Sequence, residues 1–71
     1  MAEEVLAELV SVVYQVVVQE GEQVQEGDTM VILESMKMEI PVLAESSGTV
    51  TSIGVREGDA IKAGHVIAVI D

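Results

Sequence analysis

The sequence has no cysteine, no phenylalanine and no tryptophan, and only one tyrosine, one proline and three basic residues among its 71. Without cysteine there is neither a disulfide framework nor a thiolate metal site, and a lone His65 cannot build a zinc site by itself. Three bases against thirteen acids give a formal charge of −10. That balance argues against nucleic acid and anionic membrane surfaces as partners and favours a soluble monomer. No basic, apolar leader precedes the first periodic segment, and no apolar run is long enough to span a bilayer, so a cytoplasmic location is expected. There is no Pro/Ala-rich linker either, and a chain beginning at Met1 is expected to be free-standing.

With so few aromatics, fourteen valines and six isoleucines are left to fill the interior. Their β-branched side chains suit pleated strands better than helices. A chain of this length buries only about 60% of the surface its unfolded form exposes, so a single economical domain is expected. "VVYQVVV" (12–18), "TMVILE" (29–34), "GTVTSIGV" (48–55) and "VIAVID" (66–71) read as strands. Between them, "QEGEQVQEGD" and "REGDAIKAGH" read as paired glycine turns. "MAEEVLAEL" favours helix by propensity alone.

Sliding the chain along itself by 37 aligns residues 1–34 with 38–71 without a gap. Val5, Leu6, Ala7 and Glu8 then meet Val42, Leu43, Ala44 and Glu45, and Gly21 and Gly27 meet Gly58 and Gly64. "IPVLAESSG", the partner of the helix-favouring segment, contains Pro41 and a Ser-Ser-Gly run that resist helix, so both copies are read as extended. Ser11 falls opposite Gly48, which predicts a slightly different turn in the first copy. Only Ser35, Met36 and Lys37 are left between the copies, where a connection can project from the body. Residues 29–43 lack Gly, Asn and Asp, yet fifteen residues exceed the common strand length of about 5 to 6. A two-residue hairpin centred on Met36 and Lys37 is therefore predicted. Such turns need φ > 0, which Met and Lys supply poorly, so function is expected to override local preference there.

"ESMKME" (34–39) resembles the attachment motif of biotin carboxyl carrier, or biotinyl, domains, in which a lysine between two methionines receives biotin. The duplicated halves, the Glu-Gly-Asp/Glu turns and "SGTV" (47–50) extend the resemblance to the whole chain. It implies an all-β flattened barrel, a barrel-sandwich hybrid of two four-stranded antiparallel sheets with pseudo-two-fold symmetry and the lysine on an exposed hairpin. Residues 1–71 would form one attachment domain, with Lys37 as covalent biotin acceptor. Met36 and Met38 would flank it, with Glu34, Ser35 and Glu39 beside them. The implied partners are a biotin protein ligase, a biotin carboxylase and a carboxyltransferase, the carrier itself not being an enzyme. A lysine amine at its reference pKa near 10.4 is neutral in roughly one molecule in a few thousand at pH 7, so activation of the attack falls to the ligase. Several carriers of acetyl-CoA carboxylase have an extra loop covering biotin. The gapless alignment leaves no room for one here.

Other readings compete. Lipoyl domains share this fold, but their lysine usually stands in an Asp-Lys-Ala context, so lipoate alone is disfavoured by the two methionines, while attachment of both biotin and lipoate is left open. An unmodified β-barrel adaptor using the hairpin for contact is a third possibility. Lys37 could be an ordinary solvated lysine, and Met36 and Met38 could be core filler. Glu34 and Glu39 could be solvated charges. His65 is expected to be exposed and idle, and Tyr14 to serve packing.

Overall fold

The computed structural model describes residues 2–71 as eight short strands. These are β1 (Glu3–Leu6), β2 (Ser11–Val16), β3 (Gln23–Val24), β4 (Thr29–Ser35), β5 (Met38–Leu43), β6 (Gly48–Ile53), β7 (Ala60–Ile61) and β8 (Val66–Ile70). They form two four-stranded antiparallel sheets, ordered β1-β8-β6-β3 and β5-β4-β2-β7, in a body 32 Å long and 17–18 Å across. A shift of 37 residues carries β1 to β5, β2 to β6, β3 to β7 and β4 to β8, and turns one sheet order into the other. The copies are not separate lobes. Each sheet takes two strands from each half, so the halves are interleaved and share one core.

Alternation builds most of that core, and the register shift between Thr29 and Val31 lets the consecutive Met30 and Val31 both be buried. Val13, Met30, Val31, Leu33, Val50, Ile67 and Ile70 are almost fully buried between the sheets. Each contributes roughly 1.5–3 kcal/mol by leaving water, most of it offset by chain entropy. The interior does not absorb every β-branched residue: Val10, Val12 and Val17 remain exposed. Tyr14 is 52% exposed rather than packed inside. The register of β2 against β4 jumps from Val13↔Leu33 to Gln15↔Ile32, which leaves Tyr14 unpaired at a bulge on the outer face.

Four turns of one design pin the short strands β3 and β7: Gln19–Glu22, Gln25–Asp28, Arg56–Asp59 and Lys62–His65. In each, the fourth residue's N–H donates to the first residue's carbonyl at 2.9–3.1 Å. The third residue is a glycine with φ between 89° and 93°. In three turns the fourth side chain, Glu22, Asp28 or Asp59, also accepts the first residue's N–H at 2.8–3.1 Å. His65 breaks the pattern. It is exposed, with its Nε2 3.3 Å from the Gly54 carbonyl oxygen. Gly21→Val or Gly58→Val is expected to cost about 1–2 kcal/mol, because a β-branched residue is strained at positive φ. Thermal denaturation measures this, and unchanged midpoints in both variants would contradict the turn assignment.

Ser11 does not make a different turn from Gly48, since both open a strand, β2 and β6. The difference lies in packing. A Cβ on Gly48 would stand 2.7 Å from Ile70 Cγ2 and 3.0 Å from the Asp71 carbonyl oxygen. In the other copy Ser11 is buried, and the counterpart of Ile70 is Leu33, which carries no β-branch. Ser11 Oγ donates to the Leu9 carbonyl at 3.2 Å, so its hydroxyl is satisfied.

Edge strands β1 and β5 are protected from pairing with other chains. Pro41 sits in β5, where a missing N–H leaves no gap in a ladder, and its counterpart in β1 is the exposed, charged Glu4.

Candidate functional site

The β4–β5 hairpin is paired from Thr29↔Leu43 to Ser35↔Met38, without interruption from Val31↔Val42 to the tip and with a register shift between Thr29 and Val31. Met36 and Lys37 alone make the reversal, with φ of 53° and 65°. Two successive residues in the left-handed region make the tight turn whose twist matches the flanking strands, a conformation normally given to Asn and Gly. Among the described residues these are the only non-glycine ones at positive φ. Each costs on the order of 1 kcal/mol. Met36→Asn is therefore expected to raise the melting temperature by a few degrees, since Asn tolerates this region. A lower midpoint by circular dichroism would remove the case for strain.

The surroundings hold the tip outward. Met36 is 90% exposed and Met38 61%, so neither is core filler. Lys37 between them is exposed, and no hydrogen bond or ion pair engages its side chain among the described residues. Below the tip the first rung is Ser35↔Met38 and the second Glu34↔Glu39. Both glutamates are exposed and directly opposite, an arrangement of like charges that disfavours the pairing. Ser35 is half-buried, and its Oγ donates to the Val10 carbonyl at 3.3 Å, tying the hairpin to the β1–β2 loop. Val10 was not singled out by the sequence; its role is exerted through a backbone oxygen, which no side-chain pattern reveals. Tyr14 and His65 lie off this tip, on the bulge and in the last turn.

Chemically, the tip offers one primary amine to solvent on a short, fixed support. It contains no thiol, hydroxyl nucleophile paired with a base, or metal cage, and no cluster of three or more metal-ligating side chains exists among the described residues. The amine can accept an acyl group activated elsewhere. No helix among the described residues is long and apolar enough to cross a membrane.

A twofold β sandwich that exposes a lysine on a strained hairpin defines an attachment domain. The chain belongs to the biotin/lipoyl attachment family, whose model, described as biotin-requiring enzyme, matches residues 3–70. It is 69% identical over 71 residues to a biotinylated protein TB7.3 homolog of Mycolicibacterium smegmatis, covering 100% of both chains. It is 59% identical over 70 residues to the corresponding protein of Mycobacterium leprae, covering 99% of each. Among solved structures it superposes with a TM-score of 0.93 and 37% identity on the urea carboxylase of Kluyveromyces lactis, where the whole chain matches 6% of that protein.

Proposed function

We propose that Lys37 is the acceptor of a covalently attached biotin, and that the chain is a carrier which moves a carboxyl group between a biotin carboxylase and a carboxyltransferase. The observation that carries this reading is the strained turn, which spends stability to hold an exposed, unengaged lysine at a hairpin tip. The names of the two mycobacterial relatives, both biotinylated proteins over the full length, favour biotin over lipoate. The likeness to part of a urea carboxylase favours carboxyl transfer as the chemistry served.

In the attachment step the Lys37 amine attacks the carbonyl of biotinyl adenylate, a mixed anhydride held by the ligase. The amide C–N bond forms as the acyl C–O bond to AMP breaks, AMP leaves with the bonding electrons, and the amine loses its protons to solvent or the ligase. One positive charge disappears from a chain of formal charge −10. The tip then roots a flexible arm whose reach is limited, so the biotin stays at high effective concentration near either partner site. Met36 and Met38 frame the amine, and their unbranched, polarisable side chains adapt to more than one partner surface.

The test is expression of the chain with a biotin protein ligase and a lipoate ligase, biotin and lipoate both being supplied. Intact mass is expected to rise by one biotinyl group, with streptavidin binding. A lipoyl increment would replace this reading by a lipoyl carrier, and no increment by an unmodified adaptor. Recovery of biotin carboxylase and carboxyltransferase subunits on streptavidin from the native cell would identify the partners.

A further inference from the structure

Packing explains only part of the run of four identities shared by the two halves, Val-Leu-Ala-Glu at 5–8 and 42–45. Burial accounts for Ala7 and Ala44, which are 4% and 2% exposed. It does not account for Leu6 and Leu43, each 45% exposed, or for the exposed Glu8 and Glu45. Nothing in the strand geometry requires leucine at a half-solvated position. These residues line one groove of about 450 Å³ between the edge strands β1 and β5, with Leu33 and Ile40 in its wall. Val5, Leu6 and Glu8 from one copy and Val42, Leu43, Ala44 and Glu45 from the other line it together. The lining combines aliphatic side chains with three carboxylates, Glu8, Glu26 and Glu45. Glu8 lies toward the β1–β2 loop that Ser35 ties to the hairpin. Glu45 lies toward the opposite end, where Ser46 Oγ donates to Glu3 Oε1 at 2.6 Å.

We infer that this groove is a docking site for an extended peptide segment of a partner protein, apolar at its centre and basic at both ends. Charge selects among the occupants. A second copy would set Glu8 and Glu45 against their own kind on chains of formal charge −10, which opposes association. A strand added to the β5 edge would meet Pro41, which has no N–H to offer. Side chains must therefore supply the recognition: aliphatic groups between Leu6 and Leu43, cations at Glu8 and Glu45. The groove is not symmetric: Leu9, Glu26, Leu33, Ile40 and Pro41 line it without their counterparts from the other copy, so the two ends need not contribute equally. The inference does not rest on the reading of Lys37, because none of the groove residues belongs to the hairpin tip.

The probe is a short capped peptide with Leu-Val-Leu between two arginines, titrated into the ¹⁵N-labelled chain, with the same peptide carrying glutamates in place of arginines as control. Amide shifts are expected at Val5, Leu6, Val42 and Leu43, with the acidic peptide binding at least about tenfold more weakly. Leu6→Ser and Leu43→Ser should each weaken binding about tenfold. Glu8→Gln and Glu45→Gln should each weaken it about two- to fivefold, an effect that shrinks as salt rises. All four positions are exposed, and thermal midpoints confirm that each variant folds. Equal binding of the acidic peptide, shifts confined to other residues, or self-association through the groove by sedimentation would overturn the inference.

Discussion

Lys37→Arg is expected to lose all modification while melting within about a degree of the parent, since an exposed substitution with no partner changes stability by at most about 0.5 kcal/mol. Arginine keeps the charge and nearly the length of the side chain. It removes the amine: a guanidinium is protonated at every relevant pH and is no acyl acceptor. The chain has only one other lysine, Lys62, so the outcome is clear-cut. Lys62 stands in the last glycine turn, on a support quite unlike the hairpin. Intact mass and streptavidin blotting of Lys37→Arg and Lys62→Arg, each expressed with the ligase, separate the two. A biotinyl increment on Lys37→Arg and none on Lys62→Arg would transfer the acceptor role to Lys62 and end the reading of the tip.

The second large effect is in the core. Gly48→Ser is expected to lower stability by about 1–3 kcal/mol, because the new Cβ is driven against Ile70 Cγ2 and the last carbonyl of the chain. In a domain this small each kcal/mol moves the midpoint by about 4–8 °C. The first copy shows how the conflict is avoided, with Ser11 against Leu33. Ile70→Leu removes the offending branch, so adding it to Gly48→Ser should restore most of the loss. Ile70→Leu alone should cost less than about 1.5 kcal/mol. Denaturation of the four proteins closes a double-mutant cycle, and the coupling is expected to be favourable by about 1 kcal/mol or more. Strict additivity would mean that the two halves solve their packing by some other route.

What the residues announced in advance depended on how far their pattern extended. β2, β4, β6 and β8 repeat apolar side chains over enough positions to be read directly, and they were found within a residue or two of the expected bounds. Gly21 and Gly58 lie at positive φ, as their turn context predicted. The hairpin reversal was legible because the repeat left three unmatched residues in a segment too long for one strand. β3 and β7 were hidden: with two residues each there is no period to detect, and they are held by the flanking turns, Gly21 and Gly58 donating their N–H to the Val50 and Val13 carbonyls and Gly27 and Gly64 to those of Ala44 and Ala7. Self-alignment gives correspondence between strands but not partnership, so interleaving was not visible in it. Tyr14 was misjudged because the bulge beside it resets the alternation from which its face would be read. The unengaged state of Lys37 and the tie from Ser35 to Val10 are properties of space, and no spacing along the chain encodes them.

Interleaving also governs what happens if the backbone is cut at the tip. A protease attracted to the protruding Met36–Lys37 bond would leave two fragments of nearly equal size. Neither fragment owns a complete sheet, so the pieces would remain woven together, and the nicked molecule would run as a single species until denatured.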